Sequence, residues 1–272
     1  MSISEQPGAE GASAVGGEVR VAIVDGVGWI SLNRPQASNA ANPPMMRALC
    51  EAIDAFVEEP AVRALVIRGE GRHFLAGGDF DWLSEIVDGQ AEDAADEIYR
   101  WFQGASRRLA ACPKPTVAAI SGGAFTVGAE LALACDVRLL DRSAFFAESW
   151  LELALIAPLG GAMWLPRLVG LARAKEILLE CKRIGAEEAL EIGLANELLD
   201  TPEELFRRAQ ERAIAMAARP ALAFARMKQL IHSGMCSSQE EAWQAGISAQ
   251  AELLRGDDFR SAVRSRRATA RK

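Results

Sequence analysis

Five cysteines are all that this chain offers for disulfide or thiolate-metal chemistry, and their arrangement supports neither. Cys50, Cys112, Cys135, Cys181 and Cys236 are odd in number and widely spread, with no CxxC pair and no histidine at zinc-ligand spacing. They read as reduced, mostly buried thiols, and no metal is expected. A surplus of positive charge is also missing. With 30 Lys and Arg against 37 Asp and Glu, a formal charge of -7 and a pI near 5.1, nothing draws the chain to polyphosphate, so no nucleic-acid partner is expected. The exception is a short basic end with Arg260, Arg264, Arg266, Arg267, Arg271 and Lys272, read as a solvated tail or a clamp on an anionic ligand. No apolar run approaches the roughly 18 residues of a membrane span, and the N-terminus lacks a charged-then-apolar signal. A cytoplasmic protein without a membrane partner is the expectation.

What is present is ordinary globular material, 50% hydrophobic and 25% charged, in a chain long enough for one substantial core plus an appendage. Residues 1–17 are small and polar with almost nothing to bury, which predicts a disordered lead-in. Residues 18–200 carry the core. Val19, Val21 and Ile23 alternate, Asp25-Gly26 forms a turn, and Val27, Trp29, Ile30 and Leu32 follow as the second arm of a hairpin. Met46, Leu49, Ile53, Phe56 and Val57 share one helical face behind Pro43-Pro44. Two buried strands, over 64–68 and 116–120, each run into a glycine turn and then a helix, the alternation of an α/β layered fold with ligand chemistry at the strand-to-helix turns. Residues 201–272 show only helical patterning and read as a lid or oligomerisation region.

The second of those turns, Ser121 to Asp136, holds the chemistry. Gly122, Gly123 and Gly128 allow close backbone approach to a bound group, and the free N–H groups of a helix start favour an anion or developing oxyanion. Glu130 is a lone carboxylate among Ala129, Leu131, Ala132 and Leu133. Desolvation there raises its pKa toward the range of a general acid/base. A glycine-cushioned buried helix with a dipole-favouring glutamate is the alternative reading of the same residues.

Taken in order, the pieces resemble the crotonase, or enoyl-CoA hydratase/isomerase, superfamily. They are Leu32-Asn33-Arg34-Pro35, Val66-Ile67-Arg68-Gly69, Phe74 to Asp79, Lys114 to Gly122, Gly128 to Asp136, Leu165 to Gly170 and Ala186 to Leu194. The resemblance implies an α/β fold, a spiral of ββα turns with a C-terminal helical trimerisation region, assembled as a homotrimer or a dimer of trimers. It implies an acyl-CoA thioester substrate, with coenzyme A arriving as part of the substrate and no separate cofactor, and a place in fatty-acid metabolism. By motif position the oxyanion hole is made by the backbone N–H groups of Gly78 and Val127, each worth roughly 3 to 4 kcal/mol to an enolate. Ala40, Ala76, Gly77, Asp79 and Gly123 line the substrate site.

Three departures from the family pattern stand out. Val127 replaces the usual glycine donor, which predicts a crowded acyl site because a branched residue resists positive φ. Trp150 falls where hydratases carry a second glutamate, and it reads as a wall of the acyl pocket or as core packing. Pro158 holds the position of an alternative isomerase acid. Glu148, two residues before Trp150, is the candidate replacement acid, with Glu152 the other nearby carboxylate. Asp81 stands where relatives often carry a lysine near the nucleotide, so Arg34 and the basic end are the candidate phosphate contacts. His73 and His232 carry less weight, and Asp79 suits a helix cap. The reading is a hydratase/isomerase-type enzyme, one base favouring double-bond isomerisation over hydration. Alternatives are a non-catalytic acyl-CoA binder and a decarboxylating or C–C-cleaving member.

Overall fold

The computed structural model describes residues 13–15, 17–91 and 93–269, and within them the predicted lead-in ends early. Ser13–Val15 form strand β1, antiparallel to β2 (Val19–Val24) with Ser13 opposite Val21. Composition hides such a strand because an edge pairing is made by backbone groups and needs no apolar side chain. The rest of that expected segment, 1–12 and 16, lies outside the described residues, as do Arg271 and Lys272 of the basic end. The hairpin forms as read: Asp25 and Gly26 adopt φ of 49° and 75° and close β2 on β3 (Val27–Leu32), Val24 opposite Val27. Ile23, placed inside by the alternation, is 47% exposed.

The chain continues through α1 (Pro43–Glu58), β4 (Ala64–Gly69), α2 (Phe80–Val87), α3 (Ala94–Glu97), α4 (Gln103–Ala111), β5 (Thr116–Ile120) and β6 (Gly123–Phe125). Then come α5 (Val127–Ala134), β7 (Val137–Asp141), β8 (Phe145–Ala147), α6 (Gly161–Leu179), β9 (Ile184–Gly185), α7 (Ala186–Glu191) and β10 (Glu197–Leu199). The larger sheet runs β1-β2-β3-β4-β5-β7-β10, parallel from β3 onward, and β6-β8-β9 make a second, smaller sheet. The N-cap Asn42 accepts from the Met45 N–H at 2.9 Å and starts α1. Its apolar face, with Met45, Met46, Leu49 and Ile53 fully buried, fills the space between the layers.

The chain closes with α8 (Pro202–Ala217), α9 (Ala221–Gly234), α10 (Gln239–Leu253) and α11 (Asp257–Thr269). The expectation of a purely appended region is corrected here. Leu205, Ala209 and Ala213 of α8 are buried against Val66, Val117, Ala119 and Leu139 of the sheet. The strands are apolar on both faces, so one face needs this helix as its cover. Of these four helices only α10 and α11 have no buried residue among the described residues. No helix among the described residues is long and apolar enough to cross a membrane.

Lys228 pins α9 to the core. It is 6% exposed, and its Nζ donates to Asp136 Oδ2 at 2.9 Å and to Leu109 O at 3.2 Å. Removing Lys228 leaves the half-buried Asp136 carboxylate without its cation. Lys228→Ala is therefore expected to destabilise the fold by about 3 to 5 kcal/mol, read as a lowered urea midpoint.

Candidate active site

Two glycine turns become one structure because short strands lash them together. The Leu75 N–H donates to Gly123 O at 3.1 Å, and the Phe125 N–H returns a bond to Leu75 O at 2.9 Å. A Cβ at Gly128 would stand 2.6 Å from Leu75 O, and one at Gly77, where φ is 92°, would stand 2.6 Å from Thr126 Oγ1. Those two glycines are required by close approach. Between the turns Thr126 is held at φ 40°, ψ -100°, a strained conformation for a branched residue, and its N–H is tied to Ala147 O at 2.8 Å.

This geometry frees two donors. The neighbours of Gly78 are engaged, with Ala41 N–H on Gly77 O at 2.7 Å and Asp79 N–H on Ala41 O at 2.9 Å. Among the described residues the N–H groups of Gly78 and Val127 have no protein partner. Val127 opens α5, where the helix leaves its first N–H groups free. Its side chain, expected to crowd a ligand, is instead buried in the hydrophobic core. The positive φ falls one residue earlier, on Thr126, so a branched residue fits at 127.

Glu130 is fully buried one turn into α5. Its Oε2 accepts from the Gly161 N–H at the start of α6, while Oε1 has no partner among the described residues. A Cβ on Gly161 would stand 3.1 Å from that carboxyl, so the second glycine of the Gly160-Gly161 pair makes room for it. Burial pushes the Glu130 pKa up to about 7 from 4.5, against the lowering effect of the Gly161, Leu159 and Gly160 N–H groups and the Trp150 indole.

Glu148 is brought to the same place. It follows β8, is 1% exposed, and has its Oε2 bonded to the Trp150 Nε1–H at 2.9 Å, with Oε1 unpartnered among the described residues. Burial first, and then the negative charge of Glu130, raise its pKa well above the usual carboxylate range. Trp150 is half-buried at the head of a short 3-10 turn, Trp150–Leu153. Glu152 on that turn is exposed and takes no part in the pair.

The remaining expected residues surround this centre with structural ties. Asp79 caps α2, its Oδ1 accepting from the Asp81 N–H at 2.9 Å, and its Oδ2 pairs with Arg34 at 2.6 Å. Arg34 also meets Glu18 at 3.0 Å and the Ala40 carbonyl. Its charge is thus taken up by two carboxylates, and the structure does not leave it as the free cation expected for a phosphate. Asp81 is exposed. Ala76 donates its N–H to Ser38 O at 3.1 Å, and the Gly123 N–H donates to His73 Nδ1 at 2.9 Å. Accepting that bond requires neutral imidazole, consistent with a His73 pKa lowered by burial and by Arg72 and Arg183. His232, in the last turn of α9, packs on Trp164 with ring centroids 5.2 Å apart. Thr126 and Gly161 were not singled out for the site. Gly161 stands beside a conspicuous glycine, whereas nothing local marks Thr126, whose strain arises from tertiary pairing.

Residues 22–268 match the family described as "Enoyl-CoA hydratase/isomerase". Among characterised relatives, the 1,2-epoxyphenylacetyl-CoA isomerase of Escherichia coli is 33% identical, covering 88% of this chain and 90% of its own. The crotonyl-CoA hydratase of Syntrophomonas wolfei is 34% identical over 78% of this chain and 80% of its own. The crystal structure of an enoyl-CoA hydratase from Polaromonas sp. JS666 superposes with a TM-score of 0.87 at 26% identity, covering 92% of this chain and 97% of that one. With its fold, its paired glycine turns and this similarity over nearly its whole length, the chain belongs to the enoyl-CoA hydratase/isomerase family, an enzyme family of the crotonase superfamily.

Proposed function

We propose that the protein moves the double bond of an enoyl-CoA thioester, with the Gly78 and Val127 N–H groups receiving the thioester oxygen and Glu130 and Glu148 exchanging protons with the acyl chain. The observation that carries this reading is the buried pair of carboxyls, each with one oxygen held by an N–H donor and one without a partner. Glu130 takes a proton from the acyl carbon, and the C–H electrons pass into a dienolate whose charge rests on the thioester oxygen between the two N–H groups. A neutral Glu148 returns a proton at the far carbon, and the enolate electrons collapse into the shifted double bond. The pair ends with its one proton on Glu130 instead of Glu148 and resets by passing it back. Coenzyme A comes and goes with the substrate, and no other cofactor enters the scheme.

Hydration uses the same pair and is the second reading, because two carboxyls are what holding and splitting a water requires. Isomerisation is preferred since Trp150, an apolar wall with a single donor, stands where the water-holding glutamate belongs. Incubation with a panel of enoyl-CoA thioesters in deuterated water separates the two. Deuterium exchange without the mass of an added water is the expected result; hydration at a full rate would sink the preference, and neither event would favour a binding protein.

Because Glu130 acts as the base in its ionised form, the rate is expected to rise with pH through about 7 in the free enzyme, where its raised pKa lies. A pH profile of kcat/KM with an acid limb near pH 4.5, the ordinary carboxyl value, would contradict a buried base. We further propose that α10 and α11 make the contacts of a homotrimer or dimer of trimers. They expose Trp243, Ile247, Phe259 and Val263, more apolar surface than a solvated helix pair normally shows. Light scattering of the purified protein tests this, a monomer being the contrary result.

A further inference from the structure

Trp150 looks like a lost catalytic position, yet its indole does something a phenylalanine could not. An indole N–H donates and never accepts, so the oxygen it touches, Glu148 Oε2 at 2.9 Å, must present a lone pair. On a neutral carboxyl only one oxygen carries hydrogen. The proton is thereby confined to Oε1, the buried atom that has no partner among the described residues.

Glu130 is held in a similar way, and the Trp150 indole favours its ionised form as well. The Gly161 N–H occupies its Oε2 and leaves Oε1 open. Two like carboxyls in one buried place do not both ionise readily, so the pair retains one proton in the neutral pH range. The surrounding charges do not disturb this. On α4, Arg107 bonds to Tyr99 and Arg108 to Asp54. On α6, Arg167 bonds to Met163 O. Next to β9, Arg183 lies over the Phe145 ring, and on α7, Glu187 and Glu188 pair with Arg142 and Lys182. Each site carboxyl thus has the other as its charged neighbour.

We propose that Trp150 is a positioning residue for Glu148: its N–H holds Oε2 as the acceptor, so that the hydrogen of neutral Glu148 stands on Oε1, the oxygen left free to give it up. The assignment deepens the isomerase reading and rests on it for its catalytic meaning, but the location of the proton does not require turnover. In the reaction scheme the Oε1–H bond of Glu148 is the one that breaks, its electrons staying on the carboxylate, while the Trp150 N–H continues to bond Oε2 and stabilises the new charge.

Infrared spectroscopy of the substrate-free protein tests this directly. Above about pH 7 the exposed carboxyls are ionised, so a surviving protonated-carboxyl C=O band reports a buried neutral acid. The expected result is such a band in the wild type, absent in Glu148→Gln, and moved to higher frequency in Trp150→Phe as the carbonyl loses its N–H donor. If Trp150→Phe fails to fold, benzothienylalanine at position 150 keeps the bicyclic shape and removes only the N–H. No band in the wild type, or a band that Glu148→Gln leaves in place or that loss of the N–H leaves unmoved, would overturn the proposal. In turnover, Trp150→Phe is expected to lower kcat about tenfold, the effect of one hydrogen bond, with KM unchanged and the basic limb of the pH profile, set by loss of the Glu148 proton, displaced upward because the carboxylate loses its donor. A superimposable profile contradicts it. If the spectra behave as expected while no enoyl-CoA reacts, the functional reading fails and the placement of the proton stands.

Discussion

Glu130→Gln is expected to lower kcat by about 10²- to 10⁴-fold, the usual worth of a positioned general base, with little change in KM. Gln keeps the shape and can still accept the Gly161 N–H, so the variant isolates the loss of a titratable oxygen. The same substitution is expected to alter stability with the opposite sign. Burial raises the folded-state pKa of Glu130 to about 7 from an ordinary 4.5, so the native protein holds a proton that the unfolded chain releases across that window. Stability from this group is present below about 4.5 and is lost as pH rises through about 7. Glu130→Gln, always neutral, escapes that loss. Urea unfolding is expected to show the variant gaining on the wild type as pH rises from about 4.5 to above 7 and matching it below. Unchanged turnover in Glu130→Gln would remove Glu130 from the chemistry. A pH-independent stability difference would show that its carboxyl is not buried as a neutral acid.

The second large effect is expected at a residue that touches no proton. Gly77→Ala must place a methyl 2.6 Å from Thr126 Oγ1 at a φ of 92°. Both conditions push the two glycine turns apart and re-aim the Gly78 N–H. Loss of one oxyanion donor lowers kcat by about 10²- to 10³-fold, and the strained backbone costs about 1 to 3 kcal/mol of stability. Adding Thr126→Ala removes the oxygen that clashes but leaves the φ restriction. Partial recovery of kcat in the double variant would assign the damage to the clash, and no recovery would assign it to the backbone. Full activity in Gly77→Ala itself would mean that the Gly78 N–H is not where thioester charge develops.

Much of this molecule was legible residue by residue. Asp25-Gly26 demanded a hairpin, the apolar runs at 64–68 and 116–120 demanded buried strands, and glycine followed by Glu130 in an apolar helix marked a desolvated carboxyl at a helix start. These features depend on spacings of one to a few residues, where steric and periodic rules act without reference to the rest of the chain. Glu148 was also within reach, as the carboxylate nearest Trp150, but the reason for its importance was not. The chain turns at Trp150, and its indole reaches back to the carboxyl.

Other features had no local signal. The strand Ser13–Val15 exists because β2 offers it an open backbone edge. Arg34 lost its expected freedom because folding brings it to Glu18 and Asp79, residues 16 and 45 positions away. Thr126 is strained because β6 and the Leu75 turn are bonded on one side and Ala147 on the other. Chain chemistry dictated which groups could act: the glycines, the buried glutamates and the helix start. Tertiary structure alone decided which oxygen of each glutamate is free and which N–H groups are unspent. Hydrogen-bond pairing is settled only when distant segments compete for the same donors and acceptors.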